Sequence, residues 1–500
     1  MEAGSKPAYD VVIVGGGNAA LCASLTASDA GARVLVLEKA PRELRGGNTY
    51  FTGAAFRFPY DGLDDIRRLV PDLSEAEAGS VDVGSYPAEQ MRADLLRVTD
   101  DRADPELLDP LVDEAYSAML WLRERGVRWL LMYGRQAFDV DGKRRFWGGL
   151  VVEAVGGGPG LSDRLFELAK QEGAEVRYEC GASGLLKNAD GSIRGVALEG
   201  GDEIAAGAVV LASGGFEANA EMRREHLGAG WEHAKVRGTE FNTGAGIRMA
   251  LDAGAAPYGD WGSCHAVAWD LNAPPYGDRR IGDLYQKHSY PFGIVVNASG
   301  ERFVDEGADF RNYTYAKYGR EILKQPHRAA FQIFDTKVEH LLRDEYRIAQ
   351  ATKASAETIG ELADKLGIGR PGLERTVAAF NVAVQPGAFD PTRLDAKRTE
   401  GIQPPKSNWA LPLDAPPFTG YAVTCGITFT FGGLRIDREA RVLDGEGRPI
   451  GGLYAAGELV GGLFWGNYAG GSGLMAGSVF GRIAGTGAAR AALARREPSF

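Results

Sequence analysis

The chain is predicted to be an α/β protein whose sheet-and-helix core is interrupted by a second unit. Three observations carry this. A strand, glycine turn, helix, strand and terminal acid follow one another over residues 9–38. Glycine, at 69 of 500 residues, is about twice its usual ~7% share and falls in short clusters at the ends of apolar runs. A chain of 500 residues exceeds one ordinary core, so two domains are expected, one inserted in the other.

Residues 9–38 read YDVVIVGGGNAALCASLTASDAGARVLVLE. Asp10–Val14 is a short apolar strand, and Gly15, Gly16 and Gly17 turn it. Small and apolar residues from Ala19 to Ala30 then repeat as a helix ending near Gly31, and Arg33–Leu37 is a second strand ending in Glu38. The loop fits G-x-G-x-x-[GA], with Ala20 in the third place. Gly15 permits the tight turn, Gly17 lets a pyrophosphate approach the backbone, and Ala20 lets the helix sit close on the sheet. Glu38, 23 residues beyond Gly15, is placed to accept hydrogen bonds from adenosine ribose hydroxyls. This defines a Rossmann-like dinucleotide site, and the acid favours FAD or NAD over NADP. The loop after it, RGGNTYFTGA, suits backbone contact with an extended ligand. Residues 176–199 read as short strands with an Asp-Gly hairpin at 190–191, and 208–212 as a buried strand ending in Ser213-Gly214-Gly215. EILKQPHRAA, ETIGELADKLGI and PGLERTVAAFNVAV read as helices. The late stretch LFWGNYAGGSGL, 463–474, is a glycine-dense loop opening a last helix, suited to hold a ligand by backbone N–H groups.

The net charge of −11, without a basic stripe, argues against nucleic acid as a partner. No apolar stretch reaches about 18 residues, so no membrane span is expected. The opening MEAGSKPAYD is polar and the VVIV after it is too short for a signal-peptide core, so a cytoplasmic protein is expected. Cys22, Cys180, Cys264 and Cys425 lie far apart and the six histidines lack ligand spacing. No metal is expected, and the thiols read as buried and inert.

The phrases VVIVGGGNAA, VLVLEKAP, RGGNTYFTGA, VVLASGGFEAN and LYAAGE together resemble the flavoprotein family of fumarate reductases and succinate dehydrogenases, over about residues 9–490. Within it, GGNAALCASL, LEKAPRELRGGN, FVDEGADF and GITFTFGGL resemble the FAD-dependent tricarballylate dehydrogenases. The resemblance implies a glutathione-reductase-type FAD-binding domain in two pieces, 1–265 and 421–500, with an inserted α+β capping domain at 266–420. It implies FAD contacts from Gly15, Gly17, Asn18, Ala19, Glu38 and Lys39, and from Gly46, Gly47, Asn48 and Thr49. It adds Ala182, Ser213 and Gly214, the last two near the adenine half, and Gly457 and Glu458 near the ribityl chain and pyrophosphate. Backbone groups around Gly471, Gly473 and Leu474 would face the flavin ring. The family's covalent attachment uses a histidine in the loop after the first glutamate. RGGNTYFTGA has none, so FAD is expected to be non-covalent.

The family motif NxxGxRFxNExTxRD meets VVNASGERFVDEGADFRNYTY here. Asn297, Gly300, Arg302, Phe303 and Glu306 match, and Arg311 falls one residue later than the family's proton-transferring arginine. Residue chemistry alone makes an arginine a carboxylate clamp rather than a base. Two departures stand out. Phe429 occupies the place of the family's histidine, and Tyr468 that of its clamp arginine. The tricarballylate branch also lacks these two. The 3-ketosteroid 1-dehydrogenases carry Tyr-Pro-Gly-Gly there, with the tyrosine polarising a ketone; Ala469 replaces that proline. Further cations able to pair with substrate carboxylates are Arg302, Lys287, His288, Arg57 and Arg145, and Tyr313 and Tyr290 are further acid–base candidates.

The resemblance implies an FAD-dependent oxidoreductase acting on a CH–CH group next to a carboxylate, first of all tricarballylate to cis-aconitate. Hydride would pass to flavin N5 and the proton to Arg311. The alternatives are a desaturase or reductase at the α,β position of a ketone, using Tyr468, and a flavin component passing electrons in a multiprotein pathway. No FMN-attachment, haem or iron–sulfur motif is present. Quinone, oxygen or a separate redox protein is the expected electron acceptor, and the tricarballylate branch implies a membrane iron–sulfur partner.

Overall fold

The structure, a computed structural model, describes residues 8–147 and 149–495. Its first unit follows the predicted order. β1, Tyr9–Val14, is buried from Asp10 onward. Gly15 then adopts φ +115, and a side chain there would meet the carbonyl of Ala212, so only glycine makes this turn. α1, Asn18–Asp29, and β2, Val34–Leu37, complete the unit within a residue of the expected limits.

β1 is the centre of an eight-stranded sheet. It pairs in parallel with β2 and with the strand Glu203–Leu211. Glu175–Arg177 extends the sheet beyond β2, and Pro449–Ala455 lies parallel to the upper half of Glu203–Leu211. The lower half of that strand pairs antiparallel with the hairpin Ala182–Lys187/Ile193–Leu198. The hairpin turns where expected, Asp190 Oδ1 accepting from the Ser192 amide at 3.0 Å.

The helix Ser472–Ala494 packs along α1. A Cβ at Gly481 would meet the carbonyl oxygen of Ala19, and one at Gly485 that of Ala23. The two backbones are in contact, and α1 answers with Ala19, Cys22 and Ala23. Close approach of this kind requires glycine.

A second sheet has six strands, and two small three-stranded sheets lie among residues 55–154. The spine of the six-stranded sheet is Phe418–Leu434, paired antiparallel with Pro257–Asp270 from Pro257↔Leu434 to Asp270↔Val423. Ala329–Phe334 pairs with the early half of the spine, Ile294–Asn297 pairs with Ala329–Phe334, and Lys353–Ala356 pairs with the spine's first residues. The expected domain limits, 265/266 and 420/421, fall within the two long strands. Helices Ile359–Leu366 and Arg370–Ala383 stand where ETIGELADKLGI and PGLERTVAAFNVAV predicted them. EILKQPHRAA is a correction. Its helix is Tyr315–Leu323, Pro326 and a His327 at φ +59 end the helical path, and Ala329–Ala330 already open a strand. Among the described residues no helix is long and apolar enough to cross a membrane.

Candidate functional site

One cavity runs from the Gly15–Ala19 turn to His288 and Arg311. Three helices present their N-termini to it: α1, Ala245–Asp252 and Ser472–Ala494. Each begins after a glycine whose position supplies no side-chain cap, and none carries an acid in its first turn. Apart from the Asn18 and Gly473 amides, which donate to Thr49 Oγ1 and the Tyr468 hydroxyl, first-turn N–H groups and the positive ends of three dipoles therefore face the same space, which suits a bound anion such as pyrophosphate.

All the candidate cofactor residues line this cavity except Gly46. Gly46 instead shapes the loop, directing its N–H toward Glu38 Oε2 at 3.5 Å. Glu38 Oε1 accepts from the Ala40 amide at 2.9 Å. Burial raises the Glu38 pKa, against the pull of the Ala40, Gly46 and Lys39 amides. Asn18 ties the two ends of the chain together, its Nδ2 donating to the Leu474 carbonyl at 2.8 Å and to Ser478 Oγ at 3.0 Å. The Ser213 hydroxyl lines the cavity and lacks a partner among the described residues. Glycine turns, uncapped helix ends, an acid beyond β2 and an unused hydroxyl fit FAD.

At the far end of the cavity an aromatic and cationic wall gathers. Tyr468 is buried, and its hydroxyl accepts from the Gly473 amide at 3.0 Å, capping the last helix. Burial raises its pKa, so the phenol is neutral and its own proton is available. Behind it Arg57 donates from Nε to the Gly470 carbonyl at 2.8 Å, and from its amide to the Gly471 carbonyl at 3.1 Å. The Arg57 guanidinium is held in turn by Tyr86 and Tyr313, both of which donate to Asp94. Tyr313 is thus a pillar of the loop and does not line the cavity.

His265 stands across the strand ladder from Phe429, the rings stacked with centroids 5.3 Å apart. An imidazole thus stands beside position 429, on the neighbouring strand. His265 also meets the Tyr468 ring edge-on at 4.8 Å, and His288 meets Tyr315 at 4.8 Å. Burial, and then Arg237, hold His265 well below its ordinary pKa; burial, Arg311 and Arg237 do the same to His288. Both imidazoles are neutral, and each has a buried ring nitrogen without a partner, Nδ1 of His265 and Nε2 of His288.

Three guanidiniums and one carboxylate complete the wall. Arg135 takes both oxygens of Asp283, with Nη2 donating to Oδ1 at 2.8 Å. Arg237 is 7% exposed and reaches Asp283 only at 3.8 Å. It donates to Thr428 Oγ1 at 3.3 Å, and its Nε has no partner among the described residues. Arg311 donates to the Arg135 carbonyl, and its Nε is likewise without a partner. Its turn is fixed to that of Arg135 by reciprocal amide bonds between Asn312 and Gln136. Burial lowers the pKa of Arg237 and of Arg311; the Arg311 shift is opposed by Glu345, a wholly buried carboxylate behind the wall. Burial works against Asp283, but Arg135 and Arg237 bring it below the usual carboxylate range.

The motif around Arg311 does structural work. Asn297 Oδ1 accepts from the Ser299 and Glu301 amides, and Arg302 pairs with Glu306, whose Oε1 accepts from the Val295 amide at 2.8 Å. Arg302 is therefore spent on the fold. Lys287 is buried beneath the wall against the Leu284, Tyr285 and Gln286 carbonyls, and Arg145 pairs with Asp82 near the surface. Tyr290 is buried against Thr314 at 2.7 Å. Of the candidates for substrate chemistry, Arg311, Tyr468 and His288 meet in the cavity. Arg135, Arg237, His265, Asp283 and Tyr315 join them unforeseen. Cys22, Cys264 and Cys425 are buried and unbridged, and burial lifts the thiols of Cys22 and Cys425 to about 12. No cluster of three metal-ligating side chains occurs among the described residues.

Fold and cavity together define an α/β flavoprotein built on two large sheets. A family model described as an FAD binding domain matches residues 10–474, and the chain belongs to that family. It is an FAD-dependent oxidoreductase. It is 29% identical over 494 residues to the NADH:fumarate oxidoreductase of Klebsiella pneumoniae, covering 97% of this chain but 48% of that protein, so the chain spans about half its length. It is 29% identical to the probable fumarate reductase Ifc3 of Shewanella frigidimarina, covering 99% of this chain and 77% of the relative. Among solved structures, the 3-ketosteroid-Δ4-(5α)-dehydrogenase of Rhodococcus jostii superposes with a TM-score of 0.71 at 25% identity, covering 98% of each chain.

Proposed function

We propose that the protein dehydrogenates, or in reverse reduces, a carbon–carbon bond next to a carboxylate of a small polycarboxylate, with tricarballylate to cis-aconitate as the first assignment. The observation that supports it is the excess of positive charge in the wall. Arg135, Arg237 and Arg311 line the far end of the cavity; Asp283 serves the first two, with both oxygens already taken by Arg135, and the buried Glu345 lies behind Arg311. Guanidiniums with unspent donors in a partly dry cavity call for anionic partners. FAD, when bound, supplies the two-electron chemistry.

In this reading Arg237 clamps one carboxylate. Arg311, with its pKa drawn down by burial, holds a second and exchanges the proton of the reacting carbon. The neutral His265 and His288 donate hydrogen bonds without adding charge. Residues 266–420 form the unit that brings Arg311 over the site, and a quinone or a separate redox protein takes the electrons.

A second reading rests on Tyr468. Its hydroxyl accepts from Gly473 and keeps its proton for donation, as a group polarising a ketone would. The likeness to the ketosteroid dehydrogenase supports it. Absorbance of the anaerobic holoprotein separates the two. Bleaching of the flavin by tricarballylate is expected. Bleaching by a cyclic ketone and not by any polycarboxylate would replace the first reading with the second.

A further inference from the structure

Glu217 and Glu458 touch at the cofactor wall, away from the arginines. Glu217 follows the Ser213–Gly215 turn and is wholly buried; Glu458 follows Gly457 and opens onto the cavity. Glu217 Oε1 accepts from Asn48 Nδ2 and from Asn242 Nδ2, both at 2.6 Å. Asn242 Nδ2 also reaches Glu458 Oε2 at 3.3 Å, and Glu458 Oε1 accepts from the Thr430 amide at 3.0 Å. Glu217 Oε2 has no donor among the described residues, and Asn242 Nδ2 sets the Glu217 and Glu458 carboxyls side by side. Neither acid has an ion pair among the described residues.

Two neighbouring carboxylates, one of them wholly buried and neither paired with a cation, are not both charged at neutral pH. A hydrogen bond between them needs a proton on one. The charged groups nearby do not supply an alternative. Arg223 faces Glu217 but donates to the backbone carbonyls of Glu217, Trp231, Glu232 and Ala234. Arg237, on the far side of Asn48, is engaged with Thr428 and Asp283. His226 packs on the ring of Phe216, one residue away. Lys39, at the other end of the cofactor cavity, pairs with Glu199.

We propose that Glu217 and Glu458 share a single proton at neutral pH and hold the part of FAD beside Glu458 as an acid–carboxylate pair, so that FAD is released as the pair loses that proton. An acid and a carboxylate together can donate to and accept from a polyol, which two carboxylates cannot. One charge in place of two also spares the dianionic pyrophosphate a repulsion. Burial raises the affinity of both groups for the proton, and for Glu458 the Glu217 charge adds to it.

The test is FAD affinity of the apoprotein against pH, read by flavin fluorescence between about pH 7 and pH 10. In the wild type Kd is expected to rise by up to tenfold per pH unit once the pair ionises. The Glu217→Gln protein, whose amide can donate to Glu458 at any pH, is expected to lose most of that slope, whatever its Kd at pH 7. A wild-type Kd flat across the range, or a Glu217→Gln protein with the full wild-type slope, would overturn the proposal. Should the variant not accumulate, infrared difference spectra of the wild-type holoprotein decide. A carboxylic-acid C=O band that disappears over the same pH range as FAD is lost supports the shared proton, and its absence at pH 7 removes it.

Discussion

Replacing Arg237 by methionine removes a guanidinium from the wall while leaving Asp283 with Arg135, its better partner. A hydrogen bond to a charged group is worth about 1.5–3 kcal/mol, so KM for a polycarboxylate is expected to rise roughly ten- to hundredfold, with a smaller change in kcat. Steady-state kinetics on the folded variant measure this. Tyr468→Phe removes the acceptor of the Gly473 amide and is expected to cost about 1 kcal/mol of stability while sparing polycarboxylate turnover. A loss of turnover by several orders of magnitude in that variant would move the assignment to the ketone reading. Arg311 and Tyr468 were legible in the sequence because each stands in a recognisable motif, whereas His288 was named only as a cation, in the segment QKHSYPFG that matches no motif. Arg237 and His265 were not legible. His265 enters the site as the cross-strand partner of Phe429, and a register between strands some 160 residues apart leaves no trace in either local sequence. Tyr313 was misplaced for the opposite reason. It stands two residues from Arg311, but in a tight turn that sends its side chain toward Arg57 and Asp94.

The first βαβ unit was readable almost to the residue, since turn, helix and acid are all set by local chemistry. The contact of α1 with the helix Ser472–Ala494 was not, although its cause is visible once the structure is known: Gly481 and Gly485 recur at one-turn spacing. A side chain at either must push the helices apart, and α1 carries the turn that begins at Gly15. Gly485→Leu is accordingly expected to lower the melting temperature and weaken FAD binding together, although residue 485 lies outside the cofactor cavity. Differential scanning calorimetry with an FAD titration would show it. Unchanged FAD affinity would mean that the turn is held by the sheet alone. The helix expected at 321–330 failed at its second half because the apolar residues after Pro326 complete a sheet, and tertiary pairing outweighed local propensity.

Across the whole molecule, acid sensitivity follows from the two neutral histidines. His265 and His288 have folded pKa values well below the ordinary 6.5, so the unfolded chain binds more protons once pH falls below about 6.5. Their contribution to stability is complete above that pH and is lost progressively as pH falls toward the folded values. Buried acids with raised pKa values, such as Glu38 and Glu458, act in the opposite sense, so the effect is read by difference. Urea unfolding of wild type and His265→Phe between about pH 7.5 and pH 5.5 is expected to show a shallower decline in the variant. Equal slopes would place a proton on His265 in the native state.

The continuity of the cavity carries a consequence for recognition. Among the described residues nothing partitions the cofactor's berth from the arginine wall, so a seated flavin would share in the selective surface. On the polycarboxylate reading, discrimination among acids belongs to the loaded protein, and the bare polypeptide is a receptor with one side missing. Tricarballylate should raise the melting temperature of the FAD-loaded chain and leave that of the stripped chain nearly where it was. That outcome would make loading with FAD set the order of events, cofactor before substrate.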